Sequence, residues 1–385
     1  MATIHFITDY TEKEAPRELS APISCVTVSS YLKDAILQCS SHDLVIVSTA
    51  PGKKSSYFTC LRVEKNDRET QLYLAVLKSC ESKLIRVLNQ IISFIQLFIY
   101  ILFRVKKDDY VLIYHGYGIS KLMWQVRRLV RRKFLFFVGE IYTAVGERSQ
   151  KEIEQEIRYV SQAYGYIYGN DCMNEMFSFN KPYAVLYSSY KKVGNGKGSF
   201  GDGKIHAVYA GKIAREIVND AFIAAECAKH LDENYKIHIL GYGFMEDLNY
   251  LKYVIDEINN NKGYEVVSYD GCLTGKDYDD FLNKCDIGLC TRTLPEPYCN
   301  YCFPSKTLIY LSHNLVPICP NIKVIANSDI ASAVEYVDIM SPEELASRIT
   351  TIKARRDSSN LMQLLDSSFK NQLRLLFMQT QKDNY

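Results

Sequence analysis

The chain has 385 residues, 47% of them hydrophobic and 23% charged, with a formal net charge of only +2. That length exceeds what one ordinary hydrophobic core supports, so two domains are expected, and the composition is that of a folded protein, not of a disordered tail. The near-zero charge excludes a general nucleic-acid binder, which would carry a strong basic excess.

Residues 1–7 lack the basic and apolar regions of a secretion signal, and the twelve cysteines are scattered through core-like stretches. A reducing, cytoplasmic setting is therefore expected. Residues 4–7 and 44–48 read as the first two strands, and between them residues 23–38 place Val28, Tyr31, Leu32, Ala35 and Ile36 at helical spacing. The polar loop 8–22 stands at the carboxyl end of the first strand, the edge at which such sheets contact ligand.

Residues 84–105 are the most apolar stretch, but they contain Arg86, Asn89, Gln90, Ser93 and Gln96. A spanning helix needs about 20 predominantly apolar residues, so a core-packed or surface-grooved helix is the first reading and a monotopic membrane contact the second. Between residues 104 and 133 there are nine lysines and arginines against two aspartates. Within that span residues 119–132 read as a helix with Leu122, Val126, Leu129 and Val130 inward and arginines outward. This face suits an anionic lipid surface, and equally a solvated flank of a sheet protein.

Residues 109–114 form a strand that delivers His115 and Gly116, and residues 134–138 one that delivers Glu140. Both polar side chains fall where strands hand over to loops, at the ligand edge of a doubly wound sheet. For His115 the alternative is a buried, satisfied histidine; Glu140, a carboxylate after an apolar run, needs a partner or a task. A polar helix at 152–164 and strands at 165–168 and 184–187 complete a first domain, 1–190, and the glycine-rich stretch 191–204 is the linker.

The alternation restarts over 205–357: strands at 205–209, 236–240, 266–269 and 287–289, helices at 220–230, 248–259 and 277–285, and a turn at Gly211-Lys212. Thr274 and Asp277 resemble a capping box. Phe303-Pro304-Ser305-Lys306 is a turn that opens a helix and carries a lysine, which presents backbone N–H groups and a cation to an anion. Cys285, Cys290, Cys299 and Cys302 lie close in sequence, but Cys285 and Cys290 flank an apolar strand, so a structural zinc is not expected. The segment 358–385 reads as a terminal helix crossing back onto the first domain. The expected fold is α/β, two Rossmann-like domains facing across a cleft, the default place for a ligand.

Five pieces of the second half, Tyr209-Ala210-Gly211-Lys212, the run 237–243 ending Gly241-Tyr242-Gly243, the run 269–275 containing Leu273, the run 285–289 and the run 303–311, resemble in order and spacing the nucleotide-binding domain of retaining GT-B glycosyltransferases, above all the bacterial family 4. The first half is similar chiefly through its strand-end histidine and the run 138–142. The resemblance implies a nucleotide diphosphate sugar bound by Gly211, Lys212, Arg215, Gly241, Gly243, Leu273, Glu296, Phe303, Pro304, Ser305 and Lys306, and no obligatory metal or other cofactor. It also implies a saccharide or lipid-linked acceptor on the first domain, with the loop 8–22 on that side and Glu140 and His115 as its catalytic candidates. The cations and the helix start at Ser305 would neutralise the departing diphosphate. One departure is Ile309, where related sequences carry the glutamate that holds the ribose. A sugar-nucleotide epimerase and a non-catalytic nucleotide-sugar-binding subunit are the competing readings.

Overall fold

The structure, a computed structural model, describes residues 2–10, 21–51, 60–77, 83–127, 129–130, 132–146, 148–177, 179–194, 198–215, 220–292 and 300–382. The chain divides into two compact units, Met1–Ser189 with Ser367–Tyr385, and Tyr190–Asp366.

The first unit runs β1 (Thr3–Thr8), α1 (Ile23–Cys39), β2 (Asp43–Ser48), β3 (Leu61–Asn66), β4 (Glu69–Tyr73), α2 (Lys83–Phe103), β5 (Tyr110–Tyr114) and α3 (Tyr117–Val126). It continues with β6 (Lys133–Val138), α4 (Tyr142–Val145), α5 (Gln150–Val160), β7 (Gly165–Tyr168), α6 (Cys172–Phe177) and β8 (Tyr183–Val185). The sheet order is β3-β4-β2-β1-β5-β6-β7-β8, with only β3 antiparallel to its neighbour. Ile4, Phe6, Ile7 and the whole of β6 are buried, as expected of parallel strands covered on both faces. The strand order reverses between β1 and β5, which makes their carboxyl ends the switch point.

Three expectations are corrected here. The β3–β4 hairpin was not anticipated, because β3 is an edge strand whose apolar alternation is limited to Leu61 and Val63 before the exposed run 64–66. The helix expected over 119–132 stops at Val126, and Leu129, expected inward, is 74% exposed. The chain turns there to bury Val130 and to enter β6, held by Arg132 Nε donating to the Val105 carbonyl at 3.0 Å. Arg128 and Arg131 lie outside the described residues.

The second unit runs β9 (Ile205–Ile213), α7 (Asp220–Glu226), β10 (Tyr235–Gly243), α8 (Met245–Lys262), β11 (Val267–Gly271), α9 (Gly275–Leu282) and β12 (Ile287–Leu289). It ends with α10 (Lys306–Ser312), β13 (Val316–Pro320), α11 (Lys323–Ala326), β14 (Glu335–Val337), α12 (Pro342–Thr351) and α13 (Ser359–Lys382). All its strands are parallel, in the order β11-β10-β9-β12-β13-β14, so the switch point lies between β9 and β12. One face packs Tyr209, Ile213, Ile237 and Ile239 against Ala221, Ala224 and Leu345; each large side chain so buried contributes about 1.5–3 kcal/mol.

The expected turn at Gly211-Lys212 is strand instead. β9 pairs with β10 through Gly211 with Gly241, Lys212 with Tyr242 and Ile213 with Gly243. Glycine at three of those six positions hid the continuation from a reading that treats glycine as punctuation. Thr274 does precede α9, but its side chain makes no capping hydrogen bond. The far part of α13 belongs to the first unit, where Phe369 lies against Tyr31, Phe377 sits edge-on to Tyr110, and Gln372 Oε1 accepts from the Val185 N–H at 2.8 Å.

Candidate functional site

The switch point of the second unit is built by close backbone approach. Gly241 adopts φ +151°, and a β-carbon there would stand 1.7 Å from the Gly211 carbonyl oxygen; a β-carbon at Gly243 would meet the Ile213 carbonyl oxygen at 2.4 Å. Only glycine fits, so β9 and β10 stay paired to the very edge of the sheet.

Above Gly211 sits Lys306. A β-carbon at Gly211 would lie 2.0 Å from Lys306 Nζ and 2.8 Å from the Tyr209 hydroxyl. The ammonium lies 4.7 Å from the centroid of the Tyr209 ring, a cation–π geometry, and the Tyr209 hydroxyl donates to the Lys212 carbonyl at 2.9 Å. Behind it, Tyr310 on α10 accepts from the Ala210 N–H at 3.2 Å and donates to the Leu289 carbonyl at 3.4 Å, tying α10 to β9 and β12. Gly288 makes room for that ring, since its β-carbon would stand 2.1 Å from it.

The electrostatics centre on a half-buried lysine whose ammonium lies against Tyr209 and Gly211. Burial holds the Lys306 ammonium below its ordinary value, Arg292 adding to the depression while Cys290 and Asp220 oppose it. Burial pushes the Asp220 carboxyl up to about 6 against the pull of Lys306 and Arg292. Thr291 Oγ1 donates to the Asp220 carbonyl at 2.8 Å and joins the end of β12 to the start of α7. Two cations, Lys306 and Arg292, thus share a site with one carboxyl that resists ionising, an arrangement suited to an anion.

Of the other expected residues, Phe303 is buried, and Pro304 and Ser305 are half-buried beside Lys306. The turn N–H groups of Thr307 and Leu308 are taken by the Pro304 and Ser305 carbonyls at 3.0 and 3.2 Å. Charge at this end of the seven-residue α10 therefore rests on Lys306 more than on open N–H groups. Lys212 is exposed, and strand alternation directs it to the face opposite Gly211. Arg215 is held by Glu246 at 2.7 Å and Asp247 at 2.9 Å, over the Tyr250 ring. Leu273 is half-buried ahead of α9, and Glu296 lies outside the described residues. Ile309 is half-buried, its carbonyl accepting from Ser312 and His313.

At the switch point of the first unit, β1 ends at Thr8, Asp9 follows it, and Thr49 donates to the Asp9 carboxylate. Burial raises the hydroxyls of Tyr114 and Tyr142 well above their ordinary value, and Cys25, Glu140 and Asp9 add to both. Those groups therefore form one neighbourhood, with Glu140 half-buried in the turn after β6. Of the loop 8–22, residues 11–20 lie outside the described residues.

His115 is 1% exposed. Its Nδ1 meets Ser120 Oγ at 2.5 Å and its Nε2 meets Glu156 Oε1 at 2.7 Å. Glu156, itself fully buried, accepts from the Tyr142 and Thr143 N–H groups at 2.9 and 2.8 Å. Burial alone would push the Glu156 carboxyl up; His115 and Thr143 outweigh it and hold it below its ordinary value. His115 thus braces the turn that carries Glu140, and both its ring nitrogens are engaged.

Sequence reasoning missed Asp220, Arg292, Asp9 and Glu156. Arg292 and Asp9 stand one to three residues past strands, the position that singled out His115. Glu156 shares the buried stripe Ile153, Glu156, Val160 of α5, and a carboxylate on an apolar face was its signal. Among the described residues no group of three or more histidines, cysteines or acids is placed to hold a metal ion. Cys285 and Cys290 face different partners, the Phe281 carbonyl and Thr307, and Cys299 lies outside the described residues.

No protein-family model matches the chain, and no curated protein matches its sequence. Solved structures match its fold over full length. OtsA, a trehalose-6-phosphate synthase, superposes with a TM-score of 0.68 at 10% identity, covering 100% of both chains. The trehalose-6-phosphate structure from E. coli bound with UDP-2-fluoro glucose gives 0.66 at 11%, covering 98% of this chain and 99% of that one. Anabaena HepE in complex with UDP and glucose gives 0.62 at 11%, covering 100% of both. The fold is the two-Rossmann-domain GT-B architecture.

Proposed function

We propose that this chain is a glycosyltransferase, similar to the retaining family 4 enzymes, that moves a sugar from a nucleotide diphosphate donor to a hydroxyl of a saccharide or lipid-linked saccharide. The observation that carries this reading is the half-buried Lys306, its ammonium placed over Gly211 at the switch point of the second unit. A diphosphate placed there meets a preorganised cation, which favours the leaving group as charge develops on it. Arg292 is the second cation in this reading, because Arg215 is already matched by two carboxylates. The bound UDP-2-fluoro glucose and UDP of the similar folds support a uridine diphosphate donor.

In the proposed reaction the bond between the anomeric carbon and the diphosphate oxygen breaks, and the acceptor oxygen bonds to the same face. The acceptor proton passes to the departing phosphate oxygen, so no protein base is required. Glu140, with Asp9 and Tyr142, orients the acceptor hydroxyls on the first unit, and His115 acts as a positioning residue through Glu156.

A ligand-detected binding screen of UDP-, GDP-, ADP- and CMP-sugars tests this. One of the diphosphate donors should bind, and the CMP-sugars, with a single phosphate, should not. Binding of none, or interconversion of the nucleotide sugar with no acceptor present, would contradict it. The anomeric configuration of the product, read by NMR, tests retention.

A further inference from the structure

We infer that α2 is a docking helix for an anionic membrane surface and lies in the plane of that surface. The helix is apolar on more than one face. Its inward side buries Leu97 and Ile101 and is fixed by two amides: Gln96 bonds the Ala75 N–H and carbonyl, both at 2.8 Å, and Asn89 bonds the Leu77 N–H and carbonyl at 2.6 and 3.2 Å. A second set of apolar side chains faces out. Leu84, Leu88, Ile91, Ile95, Ile99 and Phe103, spaced three or four apart, are all exposed, Ile95 by 54% and Phe103 by 74%. That spacing makes one stripe along the whole 21-residue helix, about 31 Å at 1.5 Å per residue. A contiguous apolar surface of that kind marks an interaction site.

Charge selects the occupant. α2 contains no acidic residue. Arg104, Lys106 and Lys107 follow it directly and are exposed, and Lys121 is exposed on α3. Gly118 of α3 packs against α2 at Gln90 and Phe94. Of the two aspartates in this region, Asp109 is buried and bonded to Thr3, His5 and Lys106, which leaves Asp108 exposed. A second copy of the chain would have to present the same patch to itself, and an apolar stripe ending in cations offers no carboxylate on α2 to meet them. An anionic lipid surface supplies both an apolar layer and negative charge. Among the described residues no helix is long and apolar enough to cross a membrane, so the stripe is placed along the interface.

The sequence placed a candidate lipid-facing surface over 84–133. Within that span the arginine-faced helix expected over 119–132 ends with α3 at Val126, and α2 carries the exposed apolar stripe.

The test is co-flotation of the full chain with phosphatidylcholine vesicles and with vesicles containing phosphatidylglycerol, at low and high salt. Sedimentation velocity on the same samples reports oligomers. The wild type should float with the anionic vesicles at low salt. Ile91→Glu with Ile95→Glu should lower the bound fraction by about tenfold or more. Charge reversal at Arg104, Lys106 and Lys107 should remove the preference for anionic over neutral vesicles. These positions are exposed, so unchanged melting curves verify the fold. Absence of flotation at low salt, undiminished flotation of the isoleucine variant, or a dimer that this variant dissociates would each overturn the inference.

Discussion

The Lys306 ammonium occupies the space directly above Gly211, where a β-carbon would come within 2.0 Å of it. A glycine on β9 and a lysine opening α10 are thus one device, and a substitution at either position breaks it. Gly211→Ala should displace the ammonium and weaken donor binding by about 10- to 100-fold, the range for one charge-assisted contact. Calorimetric titration of the tightest-binding nucleotide sugar into wild type and variant checks this.

Asp220 gives the site a pH dependence of definite sign. Its carboxyl is raised from 3.8 to about 6, so the folded state favours the acid form. That contribution is present below the ordinary value and lost as pH rises through about 6. Asp220→Asn should raise stability at neutral pH by on the order of 2 kcal/mol and flatten the dependence of the melting temperature between about pH 4 and 7. Donor affinity of the wild type should rise as pH falls toward 6, as the carboxyl beside Lys306 loses its charge, and the variant should lose that trend.

The His115–Glu156 pair supports the turn beyond β6. Glu156→Ala removes the acceptor of two backbone N–H groups and the partner of a buried imidazole, which should cost about 3–5 kcal/mol of first-unit stability. Because the Glu156 carboxyl is held below its ordinary 4.5, its contribution is present above that value and lost as pH falls through the folded one. Thermal melts of wild type and variant across the acid range should therefore converge at low pH.

Much of the scaffold was legible in the sequence, because parallel strands buried on both faces read as short apolar runs between helical periods. β1, β2, β5, β6, β7 and β12 stand within a residue or two of their expected places. The β3–β4 hairpin was missed because its edge strand offers only two alternating apolar residues, Leu61 and Val63, too short a pattern to stand out. Lys306 was legible through its turn, but its partners Asp220 and Arg292 come from distant stretches that only the fold brings together. In α2 the helical period was plain, but periodicity cannot say which face turns inward. The amides of Asn89 and Gln96, bonded to the backbone of Leu77 and Ala75, and the fully buried Leu97 and Ile101 settle that.

The most direct test of the central claim is Lys306→Met, assayed together for donor affinity and for release of the nucleoside diphosphate. Methionine keeps the apolar stem of the half-buried Lys306 while α10 stays tied to β9 and β12 through Tyr310, so the variant should fold with an unchanged melting curve. The account predicts donor affinity lowered by about tenfold or more and turnover lowered by about 100-fold or more, since the cation acts most strongly on the departing charge. Wild-type affinity together with wild-type turnover in a folded Lys306→Met protein would contradict it.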